Sequence, residues 1–126
     1  MTTLKCYCGS LKEFSQCCEV YINGIKKAPT AEALMRSRYS AFATQKADYL
    51  VVTTHFSTRK QHKKEDILEW SQSNKWIKLA VVAATVYTVT FKAFYLDSEL
   101  QPQIHHEHST FKLEDGSWFY VDGEFY

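Results

Sequence analysis

The sequence predicts an α+β fold in which helices come first and a meander of antiparallel strands follows. Three observations carry this. Leu34, Met35, Arg38, Ala41 and Phe42 form a stripe at helical spacing. Tyr87, Val89, Phe91 and Ala93 alternate with Thr88, Thr90 and Lys92, the period-two pattern of a strand with one apolar and one polar face. Asp115-Gly116 is a hairpin signal between two strand-like runs. Helices followed by consecutive strands define the class.

Taken in order, Ser10 and Glu13 have the spacing of a capping box, which predicts a short helix from Leu11 that delivers Cys17 and Cys18. Pro29 and Thr30 then open the striped helix, with Glu32 in the first turn where negative charge suits the helix dipole. Arg38 lies on the edge of that stripe, snorkelling or paired inside a cavity. Asp48 to Thr54 reads as a second helix and His55 to His62 as a polar loop. Glu65 and Asp66 start a third helix whose apolar side carries Ile67, Leu68 and Trp70. Leu79 to Ala84 reads as a buried strand or the lead-in to one. Asp97 to Gln103, with Pro102, supplies a turn, His105 to Leu113 returns as a strand, and Trp118 to Val121 follows the hairpin.

Composition bounds the function. The chain has 126 residues, the size of one domain, with enough aromatic side chains (15%) to fill a core or line a pocket. A net charge of +1 provides no global field for phosphate backbones, so a nucleic-acid role is possible but not favoured. The run Arg59-Lys60-Gln61-His62-Lys63-Lys64 reads as a solvated loop partly cancelled by Glu65 and Asp66. Met1 to Lys5 lack a signal-peptide apolar stretch and no run spans a membrane, which predicts a soluble, cytoplasmic protein without a membrane partner.

All four cysteines, Cys6, Cys8, Cys17 and Cys18, lie in one short N-terminal stretch, which describes a local site. In a reducing compartment clustered thiols point to metal before disulfides. Tetrahedral zinc needs four donors at about 2.3 Å, and with all four supplied by protein the ion is structural rather than catalytic. An iron–sulfur cluster, a redox thiol pair, inert thiols and disulfides are the competing readings.

Cys6-Tyr7-Cys8-Gly9-Ser10 with Cys17-Cys18 resembles the SEC-C zinc motif. The stretch Ala28 to Ala41, together with Ala47 to Leu50, Thr54-His55, Ser57 to Arg59, Glu107, Ser109, Phe111, Trp118 and Tyr120 to Gly123, is similar to the YchJ-like family of uncharacterised bacterial proteins. The resemblance implies a SEC-C zinc hook over 1–26, holding one structural zinc, and over 27–126 a domain similar to nuclear transport factor 2. Such a domain is a cone of helices packed on a curved antiparallel sheet. Two departures stand out: Leu11 replaces a glycine common in the motif, and His108 replaces an arginine usual after the glutamate.

For chemistry beyond the metal, the resemblance points to His55, Arg59 and Glu107 as polar residues of a candidate pocket, with Tyr39, Trp70 and Trp76 as walls. A catalytic reading needs His55 paired with Glu107, which would orient the imidazole as base. On a strand His106 and His108 share one face while His105 and Glu107 share the other, so His105-His106-Glu107-His108 does not converge on a second metal unaided. No Ser-His-Asp order or paired carboxylates are apparent. The preferred function is a zinc-stabilised binding or interaction module docking an unknown protein, with Lys5, Lys12, Lys26 and Lys27 near the hook. The alternative is a small enzyme or small-molecule-binding protein using the cone's cavity.

Overall fold

The structure is a computed structural model and describes residues 4–126. Residues 1–3, on which part of the leader reading rests, lie outside the described residues. Five helices, α1 (Glu19–Ile22), α2 (Ala31–Ala43), α3 (Ala47–Val52), α4 (Phe56–Arg59) and α5 (Lys64–Ser73), precede four strands. These are β1 (Lys75–Ala84), β2 (Thr88–Leu96), β3 (Pro102–Glu114) and β4 (Ser117–Phe125), joined in the order β1-β2-β3-β4 with every pairing antiparallel. The α+β class is as the sequence predicts. Among the described residues no helix is long and apolar enough to cross a membrane.

Helix α2 forms where the stripe places it. The Thr30 side chain accepts from the Ala33 amide at 3.0 Å, satisfying one of the orphan donors of the first turn. At the other end Gln45, at φ 61°, turns the chain so that the Lys46 amide reaches the Ala41 carbonyl at 2.8 Å. The buried face of α2, with Leu34, Met35 and Tyr39, packs against Val89, Phe91 and Ala93 of β2 and Phe111 of β3 to make the main core. Those β2 residues are the apolar phase read from the sequence.

The strands are linked by tight turns, and Asp115 and Gly116, at φ 51° and 79°, make the turn between β3 and β4 that their dipeptide predicts. Register shifts in β1 at Trp76/Lys78 and Val81/Ala83, and between β3 and β4 at Thr110/Phe111, interrupt the ladders at the kind of irregularity where strands bend. The outer side of β4 is occupied by the segment after α3. The Tyr120 amide donates to the Thr53 carbonyl at 2.8 Å, the His55 amide donates to the Tyr120 carbonyl at 2.7 Å, and Thr58 Oγ1 donates to the Val121 carbonyl at 2.7 Å.

Three local expectations are corrected. Residues 4–14 form a small hairpin, not a capped helix: Lys5 bridges Glu13, the Cys6 amide donates to Lys12 O at 2.8 Å, and the Phe14 amide donates to Leu4 O at 2.9 Å. Gly9 and Leu11, at φ 84° and 68°, reverse the chain and place Ser10 inside the turn. A 3-10 turn at Phe14–Gln16 then leads into α1. Second, the polar loop contains helix α4, capped by the His55 side chain accepting from the Ser57 amide. Third, Leu79 to Ala84 is not a buried strand. It belongs to edge strand β1, whose residues are exposed or half-buried throughout because only β2 flanks it.

Candidate functional site

Two constructions on α2 carry chemistry. The first is the cysteine cluster. The hairpin supplies Cys6 and Cys8, and the link from the 3-10 turn into α1 supplies Cys17 and Cys18. The four Sγ atoms lie within 4.8 Å of one another, and Cys6, Cys8 and Cys18 are buried. A tetrahedron of sulfurs about 2.3 Å from an ion has edges of about 3.8 Å. Cys8 Sγ and Cys17 Sγ are 3.8 Å apart. The donor set therefore fits a single tetrahedral ion.

Electrostatics agree. Hydrogen bonds from Cys18 and Cys8 hold the Cys6 thiol far below its ordinary range, whereas the Cys18 thiol is pushed far up by its contacts with Cys6 and Cys8 and by burial. Burial likewise raises Cys17. Crowded thiols resist ionising together, and a dication removes that resistance. Ser10 Oγ lies 3.2 Å from Cys17 Sγ, and Ser40 Oγ of α2 lies 3.6 Å from Cys6 Sγ. Arg36, also on α2, donates from Nη1 to the Cys8 carbonyl at 2.8 Å and from Nε to Glu32 at 2.9 Å. Leu79 of β1, Phe14 and Ile22 close the apolar side.

The second construction is a cavity of about 290 Å³ between α2, α5 and the inner face of the sheet. Tyr39, Trp70 and Trp76 stand in its wall with Phe42 and Phe91. Their rings meet edge-on: Trp70 and Trp76 at 4.9 Å between centroids, Phe42 and Trp70 at 5.6 Å, and Tyr39 and Trp76 at 6.1 Å.

Glu107, 6% exposed, points into this apolar space from β3. Its Oε1 accepts from His105 Nε2 at 2.7 Å, and its Oε2 accepts from Ser109 Oγ at 2.5 Å and from Tyr120 Oη at 3.0 Å. Burial pushes the carboxyl up, but the donors from His105, Ser109 and Tyr120 outweigh it and leave Glu107 below the ordinary carboxylate range. Gly123 on β4 makes room for it. A Cβ at that position would overlap the Glu107 side chain.

Arg38 reaches the cavity from α2 with its Cζ 4.6 Å above the Tyr120 ring centroid. Burial pushes its guanidinium down to about 10, still charged at neutral pH. Tyr120 is raised by burial and then by the Glu107 charge, so it stays a protonated donor. Burial, then Arg38, lowers His62 beside them.

Of the residues the sequence nominated, Glu107, Tyr39, Trp70 and Trp76 meet in the cavity, and His55 and Arg59 are not among the residues that line it. The pairing of His55 with Glu107 does not form. His55, 2% exposed, packs at the outer edge of β4 and pairs through Nε2 with Glu114 Oε2 at 2.7 Å, while Nδ1 faces Ser57 Oγ at 2.7 Å. Arg59 donates to the carbonyls of Thr54 and Val52, securing α4. His105 faces inward with Glu107, whereas His108 bonds Thr90 Oγ1 at 2.7 Å and is absent from the cavity wall, so the histidine cluster is divided as strand alternation requires. Ser109 and Tyr120 line the cavity without having been assigned to it, Gly123 makes room for Glu107 without lining it, and Arg38, read as snorkelling or paired inside a cavity, stands in the cavity wall. The inward phase His105, Glu107, Ser109 was the available signal.

Residues 30–123 match the family model described as YchJ, middle NTF2-like domain. The chain belongs to the YchJ-like family. UPF0225 protein SCO1677 of Streptomyces coelicolor is 39% identical over 132 residues, spanning 99% of this chain and 98% of that protein. UPF0225 protein plu2503 of Photorhabdus laumondii is 39% identical over 130 residues, spanning 98% of this chain and 81% of that protein. Among solved structures, the solution structure of a SEC-C motif containing protein from Rhodopseudomonas palustris superposes with a TM-score of 0.88 at 33% identity, covering 96% of this chain and 98% of that one. A crystal structure of a SEC-C motif containing protein from Psychrobacter arcticus gives a TM-score of 0.79 at 28% identity, covering 94% and 80%. The family model covers the domain behind the cysteines, and both solved structures are described as SEC-C motif containing proteins.

Proposed function

We propose that this YchJ-like protein binds a small molecule in the cavity between α2, α5 and the sheet, and that its four cysteines hold one structural zinc ion that fastens the N-terminus to α2. The observation that carries the reading is Glu107. An ionised carboxylate inside an aromatic-walled space costs stability that an apolar residue of similar volume would not. Here that carboxylate is held by three side-chain donors and accommodated by a glycine. Convergent polar groups in an apolar, concave site are the general signature of ligand recognition.

For the metal, support comes from the spacing of the sulfurs and the SEC-C motif of the structural relatives. The docking reading rests on what the SEC-C resemblance implies, and on this chain's side on Lys5, Lys12, Lys26 and Lys27. All four are exposed, as lysines usually are, so they distinguish nothing. Cavity binding is therefore the reading preferred.

A thermal-shift screen of small molecules against the full chain tests it, because a ligand that binds the folded state raises the unfolding midpoint. Hits should disappear in Ala93→Phe, which fills the cavity. A screen without a single stabilising compound would remove the proposal.

A further inference from the structure

Resting on the cavity reading, we infer that the ligand is an aromatic or ring-bearing carboxylic acid, its carboxylate held side-on by Arg38 and its ring lodged among Phe42, Trp70 and Trp76. The argument begins with the division of labour on the guanidinium. Arg38 Nη1 is fully occupied, its two N–H bonds donating to the Leu50 carbonyl at 2.9 Å and Thr53 Oγ1 at 2.7 Å, with Thr54 Oγ1 a longer, shared acceptor at 3.4 Å. These bonds join α2 to the end of α3, and the Tyr120 ring beneath Cζ fixes the plane of the group. Arg38 is thereby locked in place before any ligand arrives.

Nε and Nη2 are different. Among the described residues no acceptor takes up either donor, although the side chain lines the cavity. Nor are they sealed in: among the described residues no fully buried side-chain nitrogen or oxygen lacks a partner, so each of these unpartnered nitrogens keeps some accessible surface. The Nε–Nη2 edge presents two parallel N–H bonds, the fork that matches the two oxygens of a carboxylate.

Glu107 is the obvious internal claimant for that fork, and it is otherwise engaged. His105, Ser109 and Tyr120 take up its oxygens, and Arg38 and Glu107 do not form an ion pair. Among the described residues the Arg38 charge has no counter-charge within ion-pair distance, and the Glu107 charge acts on it only from farther off, inside a space of low dielectric where such a charge attracts strongly. Burial, and then Arg38 itself, keep His62 neutral, so it brings no second cation.

The competing occupant is a cation seated in the aromatic box and facing Glu107. One observation opposes it: the Glu107 oxygens already accept three hydrogen bonds from within the protein, whereas the Nε–Nη2 fork of Arg38 is untaken. Arg38 and Glu107 both line the cavity and act with opposite signs on either occupant, so hydrogen-bond capacity decides between them. Size narrows the class further. A cavity of about 290 Å³ holds the equivalent of roughly ten waters, the space of a molecule with one or two rings.

Three probes of one shape and different charge decide the matter: 2-naphthoate, neutral 2-naphthamide and cationic 2-naphthylmethylamine. Each is titrated at pH 7 into the full-length, zinc-loaded protein and followed by backbone amide NMR shifts. The expected result is at least tenfold tighter binding of 2-naphthoate than of the amide, no detectable binding of the amine, and shifts centred on Arg38, Trp70 and Tyr120. Arg38→Lys, which keeps the charge but loses the fork, should remove most of that tenfold preference. Should Arg38→Lys fail to fold, the three-probe comparison on the wild type still decides. Equal or tighter binding of the amide or the amine within the cavity would overturn the carboxylate assignment and leave cavity binding standing. Naphthoate shifts confined to another surface would also overturn it, and failure of all three probes to bind would overturn the ring-bearing carboxylate assignment while leaving the cavity reading to the thermal-shift screen.

Discussion

Arg36 donates from Nη1 to the backbone carbonyl of Cys8 at 2.8 Å, so the helix that walls the cavity also holds the cysteine cluster. Two residues further along, Arg38 faces the cavity. Hook and domain share one helix, and the consequences can be measured.

The first prediction concerns the metal. Purified under reducing conditions, the protein should carry one zinc per chain by elemental analysis. Cys8→Ser or Cys18→Ser should release it, because either change removes a buried member of the four-sulfur set. Arg36→Met should keep the ion but speed its loss to a chelator and lower stability by about 1–2 kcal/mol, the contribution of a charge-assisted hydrogen bond at a partly exposed site. Retention of zinc by both serine variants would refute the assignment of these ligands.

Gly123 and Glu107 should behave as one unit. Gly123→Ala forces a methyl group into the space of the carboxylate and is expected to cost about 1–3 kcal/mol by chemical denaturation. In the Glu107→Ala background the same change should cost much less, giving a coupling energy of about 1 kcal/mol or more in a double-mutant cycle. Simple additivity would show that the cost of Gly123→Ala does not come from the Glu107 side chain.

Acid should weaken the wild type more than Glu107→Gln. The folded-state pKa of Glu107 lies below its ordinary value of 4.5, so its contribution is complete above that value and is lost as pH falls through the folded pKa. The stability gap between wild type and Glu107→Gln should therefore be constant near neutrality and narrow below pH 4.5. A gap that widens toward acid would contradict the sign.

Leu11 offers a test of strain. It is 77% exposed and sits at φ 68°, where a Cβ is costly. Leu11→Gly should raise stability by about 1 kcal/mol, since relief of the left-handed conformation exceeds the added freedom of the unfolded chain. An unchanged or lowered denaturation midpoint would mean that the turn carries no such strain.

Regular elements were legible in the sequence because their signals are local. The Thr30 cap, the alternating phase of β2 and the Asp115-Gly116 turn each report on residues a few positions apart, and the structure contains all three. The hook was misread for the opposite reason. Ser10 and Glu13 have capping-box spacing, but a leucine in the left-handed region turns the chain before a helix can start, and the one sign of it is that Leu11 stands where the SEC-C motif commonly has glycine. Partners across the fold were hidden as well. His55 lies 59 residues from Glu114, and which glutamate of β3 it meets depends on how the segment after α3 lies along β4. The role of Arg38 depends on which of its nitrogens are taken by Leu50, Thr53 and Thr54, which helical spacing alone does not reveal.

The segment that lies along β4 bears on how copies of this protein avoid one another. A free sheet edge is a template on which a second chain can add strand after strand, the first step toward aggregates. On the β4 side Thr53 and His55 bind both backbone groups of Tyr120, and Thr58 takes the Val121 carbonyl, so the template is already read by the protein itself. On the β1 side, register shifts at Trp76/Lys78 and Val81/Ala83 interrupt any regular ladder after a few residues. The two margins of the sheet thus resist polymerisation by different means, one by occupation and the other by irregularity.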